Sequence, residues 1–192
     1  MAEASATDHG RSSIPGAGAP EPDGSTWEFG GRQLRVRVAD ERDVAALARL
    51  RRQWLEERAG RPVTDPGFEE AFAAWWRVEQ PRRAFWVAEA GSDRAGWTPV
   101  GSINVLETVQ MPRPGGRGAR TGQVGNAFVL SGFAEAGVPR VLLGAVVAHA
   151  RDRGFRRLML APTAGSAAFY RRAGFAPAGD SLLVVDPRTV GV

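Results

Sequence analysis

Gln123-Val-Gly-Asn-Ala-Phe-Val-Leu130, Ser131-Gly-Phe-Ala-Glu-Ala-Gly137 and Val138-Pro-Arg-Val-Leu-Leu-Gly-Ala-Val-Val-Ala-His-Ala-Arg-Asp-Arg-Gly154 run on without a break, and their succession decides the fold. The first segment is short, rich in β-branched and aromatic residues, and sits between Gly122 and Ser131-Gly132, which predicts a buried strand. The second is a loop of small residues. The third is apolar nearly all round, with Pro139 in its first turn and Gly154 as its stop, and predicts a core helix. Phe155-Arg-Arg-Leu-Met-Leu160 follows as a second strand closed by Pro162, and Ala164 to Ala173 as a second helix ending at Gly174-Phe175. Strand, loop, helix, strand, helix is a right-handed crossover, so the two strands run parallel with the loop at their carboxyl end. Open α/β sheets bind ligands at that end, and a loop feeding a helix start turns N–H groups toward an anion.

Working outward, Gln33-Leu-Arg-Val-Arg-Val38 alternates as a half-exposed strand. Asp40-Glu-Arg-Asp43 caps a helix whose apolar positions Val44, Leu47, Leu50, Trp54 and Leu55 follow helical spacing to Ala59-Gly60. Pro66 opens a second helix to about Val78, carrying Phe68, Phe72, Trp75 and Trp76. Phe85 to Glu89 and Pro99 to Leu106 read as a hairpin around Gly91 to Gly96, and Gln110 to Gly122 as a mobile Pro/Gly/Arg loop. Ser181 to Asp186 reads as a closing strand. Residues 1–26, without periodicity, are expected to be a disordered tail, and residues 27–192 a single domain.

The composition sets bounds. The chain has 192 residues, 43% of them hydrophobic, enough for one domain with a core. No run approaches the roughly 20 apolar residues of a membrane span, and no secretory leader is evident, so a cytoplasmic setting is expected. Without cysteine, a disulfide, a thiolate metal site and a cysteine nucleophile are excluded; two histidines are too few for a metal cluster, and no metal is expected. The net charge of +4 comes from arginine alone, because lysine is absent, a pattern that fits coding bias in a GC-rich bacterium. From Met111 onward arginines dominate, and such a surface suits phosphates, an acidic carrier protein or tRNA as well as plain solvation.

Phe169-Tyr170-Arg-Arg-Ala-Gly174-Phe175 at this distance downstream resembles the GNAT superfamily of N-acetyltransferases, whose core ends in a helix with a Tyr-x-x-x-Gly-Phe signature. The resemblance covers roughly residues 33–186. It implies an α/β (α+β) fold with a mixed, mostly antiparallel sheet of about six to seven strands, about four helices, and parallel central strands that splay. In the gap lies the pantetheine arm of acetyl-CoA or another acyl-CoA, or the phosphopantetheine of a carrier protein. The family's pyrophosphate pattern falls on Ala134-Glu-Ala-Gly137-Val-Pro139, with Gly137 kept, Ala134 where Gln or Arg is usual, Glu135 adding an anion, and Pro139 lacking an N–H. Donor-binding candidates are therefore Val129, Leu130, Ala134, Glu135, Ala136, Gly137, Val138, Arg140, Thr163 and Ser166, the last two being equally helix-cap residues.

The same resemblance makes Tyr170 the acid for the departing thiolate, against a packing role on an amphipathic helix. Val129 or Leu130 would offer the oxyanion an N–H. Gln123 occupies the position where many relatives have glutamate, so the base is sought at Asn126, which is equally a buried amide satisfying the splayed backbone, at Glu107, or in ordered water. His149 reads as a packed residue. Trp54, Trp75 and Trp76 read as core, with one of them able to wall the acceptor pocket, which favours a flat or hydrophobic acceptor. The expected activity is direct N-acylation of a small-molecule amine, in antibiotic resistance or natural-product biosynthesis. The alternatives are an aminoacyl-tRNA-dependent transferase and a non-catalytic module binding acyl-CoA or a carrier. Expected partners are that amine and an acidic acyl carrier protein, with no membrane and no nucleic acid beyond tRNA, in a monomer or homodimer.

Overall fold

The computed structural model describes residues 26–116 and 118–179. These fall into two compact units, one running to Leu160 and the other beginning at Ala161. The first holds a six-stranded sheet in the order β1-β2-β3-β4-β5-β6, made of Thr26–Phe29, Arg32–Val38, Arg83–Ser92, Gly96–Val109, Arg120–Val129 and Phe155–Met159. All neighbours are antiparallel except β5 and β6, which are parallel. Helices α1 (Val44–Ala59), α2 (Phe68–Glu79) and α3 (Val138–Asp152) belong to this unit, and α4 (Ala167–Arg172) to the second. This is the mixed, mostly antiparallel sheet with four helices expected from the sequence.

Side-chain alternation along the strands assigns the helices to faces. Phe85 and Val87 of β3 are buried with Leu47 of α1 and Trp76 of α2. Trp86, between them, turns the other way and meets His149 of α3 at 5.2 Å between ring centroids. On β4, Gly101 faces α3, where an added Cβ would lie 3.3 Å from Val138, while Ser102 and Asn104 share a cleft with residues of α1 and α2. The sheet is therefore covered on both faces, which explains why Val100 to Val105 is buried throughout rather than alternating.

The start of α1 is fixed by charge. The Asp40 side chain accepts from the Arg42 N–H at 2.9 Å, and Asp43 accepts from the Asp40 N–H at 2.9 Å, a reciprocal cap. Asp43 also takes both ends of the Arg37 guanidinium at 2.7 Å, and Arg37 and Arg35 both reach the buried Glu89 on β3. Gly60 ends the helix at φ +63°, a left-handed backbone that glycine adopts without strain.

Four sequence expectations change. Thr26–Phe29 forms a strand paired with β2 across Gly30-Gly31, although the hairpin partner lies at the edge of the expected tail. Residues Arg120 to Gly122 belong to β5 rather than to the preceding loop, whose ends are joined by the Gln110 N–H donating to the Ala119 carbonyl at 2.8 Å. Helix α2 begins at Phe68, and α4 is shorter than Ala164 to Ala173. The closing strand and most of the tail lie outside the described residues.

Candidate active site

Strand β5 begins between two neighbours and ends beside one. Its parallel register with β6 runs Arg120↔Phe155, Thr121↔Arg157, Gly122↔Leu158 and Gln123↔Met159, and stops there. Pairing with β4 continues to Gly101↔Val129, so among the described residues Val124 to Val129 have a strand on one side only. A bulge lies within this one-sided stretch: between Ser102↔Phe128 and Asn104↔Gly125, Asn126 and Ala127 oppose Ile103 alone. Asn126 absorbs the irregularity at φ +49°, a region where asparagine is one of the few non-glycine residues at ease.

The ladder also orients the last amides. The Leu130 N–H donates to the Val100 carbonyl at 2.9 Å and is thereby engaged. Donors alternate between the two edges of an antiparallel strand, so the Val129 N–H points away from β4 into the gap. Of the two residues expected to offer an oxyanion donor, only Val129 has its N–H turned that way.

The loop after β5 is tightly folded. Ser131–Phe133 form a 3-10 turn, and the N–H groups of Phe133, Ala134, Ala136 and Arg140 are used within the loop and helix start. Those of Gly132, Glu135, Gly137 and Val138 are left over by these turns. The Ala136 carbonyl accepts from Trp27 Nε1 at 2.9 Å, so across the same trans peptide the Gly137 N–H points away from Trp27. Gly137 has φ +77° and precedes α3; Val138 is fully buried, and Pro139 has no N–H. Glu57 of α1 holds the Ser131 N–H at 3.1 Å. The Ala134 N–H is spent on Ser131 and Pro139 has none, so the donors these turns leave lie at Gly132, Glu135 and the Gly137 end.

On the α1 and α2 face, Leu47, Arg51, Phe72, Trp75, Phe85, Ser102, Asn104, Asn126 and Phe128 line a half-open cleft whose inner space is about 40 Å³. Asn126 and Trp75 are the expected site residues that the structure brings together there. Asn104 Oδ1 accepts from Arg83 at 3.0 Å, and Arg83 is held by Glu79 at 2.6 Å. The carboxyl of Glu79 lies below its ordinary pKa because Arg82 and Arg83 both donate to it.

Of the three tryptophans, Trp75 lines the cleft and the other two do not. Trp76 is 2% exposed and packs on Phe85 at 4.2 Å, so it is core and walls nothing. Trp54 stacks on Phe128 at 5.4 Å, with the guanidinium groups of Arg51 and Arg58 over its ring, outside the cleft lining. Glu107 is a further correction. It pairs with Gly122 at the other end of β5, roughly 20 Å from Val129 at strand rise, and is held by Arg120 and, at 3.1 Å, by Arg153. A carboxylate clamped by two guanidinium groups at that end is no base for this cleft. Leu47, Arg51, Phe72, Phe85, Ser102, Asn104 and Phe128 were not anticipated in it. The spacing Leu47, Arg51, Trp54, Arg58 does set charges on an apolar helix face, a signal that could have found Arg51.

In the second unit, Thr163 and Ser166 cap the turn before α4: the Thr163 N–H donates to Ser166 Oγ at 3.0 Å, and the Ser166 N–H to the Thr163 carbonyl at 3.0 Å. At its other end, Phe175 N–H donates to the Tyr170 carbonyl at 3.0 Å and Gly174 N–H to the Arg171 carbonyl at 3.0 Å, with Gly174 at φ +92°. The rings of Tyr170 and Phe175 meet at 5.7 Å. The Tyr-x-x-x-Gly-Phe spacing is thus a helix C-cap with its hydrophobic contact. Half-burial pushes the Tyr170 hydroxyl above its ordinary pKa, which keeps its proton in place. Among the described residues no group of acidic or histidine side chains could hold a metal, and no helix is long and apolar enough to cross a membrane.

Comparison with known proteins gives the family and the fold. The model of the acetyltransferase (GNAT) family matches residues 44–175. A predicted acetyltransferase from Clostridium acetobutylicum, crystallised with acetyl-CoA, superposes with a TM-score of 0.63 at 17% identity, covering 80% of this chain and 96% of its own. Glucosamine-6-phosphate N-acetyltransferase from Arabidopsis thaliana gives 0.58 at 15% identity over 80% and 97%, and a GNAT enzyme from Ralstonia eutropha 0.58 at 21% over 79% and 98%. No curated protein matches by sequence.

Proposed function

For a chain that belongs to the acetyltransferase (GNAT) family, we propose N-acylation of a small-molecule amine by an acyl-CoA, acetyl-CoA being the first donor to test. The observation that carries this reading is the one-sided stretch of β5, Val124 to Val129, whose free edge can pair with the amides of a pantetheine arm. Co-crystallisation of the Clostridium acetobutylicum relative with acetyl-CoA supports the choice of donor. The leftover N–H groups around Gly137, at the start of α3, would hold the pyrophosphate.

The residues then divide the chemistry. Val129 donates its N–H to the thioester oxygen as negative charge develops there, when the amine nitrogen attacks the carbonyl carbon. The C–N bond forms and the C–S bond breaks. Tyr170 gives its proton to the departing sulfur, a role assigned by its place in the family signature. Among the described residues that line the cleft there is no carboxylate, and the proton lost by the amine is assigned to water, with Asn126 and Ser102 near enough to order it. No covalent enzyme intermediate is required.

Ala134 and Pro139 favour a second donor: a carrier-bound phosphopantetheine, which lacks the nucleotide end and needs less of the loop. Resistance or natural-product chemistry remains the proposed setting, in the cytoplasm of a bacterium. Tyr170→Phe tests the assignment, because phenylalanine keeps the ring contact with Phe175 and loses only the hydroxyl. Thiol release over a panel of amines should fall on the order of 100-fold with acetyl-CoA affinity unchanged. Unchanged turnover would remove Tyr170 from the mechanism, and absence of turnover in both proteins, with acetyl-CoA bound, would favour a binding module.

A further inference from the structure

Arginines packed beside buried parts of this sheet have carboxylate partners: Arg35 and Arg37 have Glu89, and Arg83 has Glu79. Arg51 differs. It lines the cleft from α1, and among the described residues it has no hydrogen bond or ion pair; its guanidinium rests 4.9 Å from the Trp54 centroid and 5.5 Å from that of Phe128. Burial and the like charge of Arg58 act on it together, and both oppose its cationic form. A half-buried cation with no counter-ion is costly, and folded chains ordinarily supply one. Among the described residues, Arg51 is also the only charged side chain that lines the cleft.

Its surroundings describe what would complete it. Arg83 can only donate, so the oxygen of Asn104 must face it, and the amino end of that amide is turned elsewhere as a further donor. Ser102 adds a hydroxyl. Trp75, Phe72, Phe85 and Leu47 make the remaining wall flat and apolar.

We infer that Arg51 binds a carboxylate, and that the acceptor is an amine carrying that carboxylate on a flat apolar body, as in an aromatic amino acid. The inference rests on the acyltransferase reading for the word acceptor, and on the cleft alone for the anion. A planar guanidinium matches a carboxylate through two parallel hydrogen bonds, which a lysine could not reproduce.

The test is titration of the full chain, followed by calorimetry, with 3-phenylpropionate and indole-3-acetate and with their neutral amides. The carboxylates should bind with a dissociation constant on the order of 1 mM, as small fragments do, and the amides roughly ten- to hundred-fold more weakly. Arg51→Met, which keeps an apolar stem against Trp54, should lose the preference, and Arg51→Lys should retain part of it. Thermal unfolding checks that each variant folds; if the Met variant does not, the carboxylate-to-amide ratio on the natural chain and on the Lys variant decides. Equal binding of acid and amide, no binding of either acid, or an Arg51→Met variant that binds like the natural chain would overturn the inference. Acetyl transfer to phenylalanine and to phenethylamine separates it from the reading beneath it. Transfer to both with equal efficiency sinks the carboxylate acceptor and leaves an acyltransferase. Carboxylate binding through Arg51 in a chain that neither binds acetyl-CoA nor acetylates any amine sinks the acyltransferase and leaves the anion site.

Discussion

The two ends of β5 are built to opposite specifications. At Gly122 the strand is hemmed in: a Cβ there would lie 2.7 Å from Leu158, 2.7 Å from Val105 and 2.8 Å from Phe155, so β4 and β6 close on it from both sides. Glu107 adds a double ion pair to Arg120 and Arg153 beside it. At Asn126 and Ala127 the same strand bulges and is exposed, and from Val124 onward it has lost its partner on the β6 side. An open strand edge is ordinarily a liability; here it belongs to a strand whose other end is anchored by packing and charge. One strand is thus held on both sides at one end and on one side at the other.

Breaking the closed end should cost most. Gly122→Val places two methyl groups where not even one fits, and the expected loss is about 3 kcal/mol, read as a fall in Tm of roughly 10 °C. A change within 2 °C would mean that the strands are not held as closely as described.

At the open end the backbone conformation matters more than volume. Asn126→Val forces a β-branched residue to φ +49° and should cost about 1–2 kcal/mol, whereas Asn126→Gly should leave stability nearly unchanged while altering the cleft. Equal Tm values for the two variants would contradict the bulge.

Glu107→Gln sharpens the contrast in function. It weakens a partly exposed ion pair by under about 1 kcal/mol and should leave turnover intact, because the residue stands at the anchored end. A hundred-fold loss of turnover would restore Glu107 as a base.

The smallest effect concerns acid. His149 packs between Trp86 and Phe155, and burial, with Arg153 next in weight, holds its pKa below 6.5. The unfolded chain therefore takes up the proton first. This contribution to stability is whole above pH 6.5 and shrinks as pH falls toward the folded value, and His149→Gln should flatten that part of a Tm-against-pH curve.

Much of this arrangement was legible because it is local. The order of strands and helices follows from alternation, helical spacing and caps such as Asp40 to Asp43, and Tyr170-x-x-x-Gly174-Phe175 stands out because a helix C-cap needs its glycine and its apolar contact at fixed offsets. Even the missed β1 left a trace, the Gly30-Gly31 pair of a tight hairpin between Trp27 and Gln33. What could not be read was long-range. Trp75 and Trp76 are adjacent, and only packing tells that one faces the cleft and the other the core. Glu107 looked free until folding brought Arg153 to it across 46 residues. Arg51 acquires meaning only when β3, β4, β5, α1 and α2 converge without bringing it a carboxylate.

The donor site we propose is the free edge of β5. Residue-resolved amide hydrogen exchange by NMR, with and without saturating CoA, tests it most directly. Exchange should slow at the Val129 amide, with Leu130, already bonded to Val100, and Gly122 unchanged. Unaltered exchange along Val124 to Val129 in a chain that has bound CoA would contradict it.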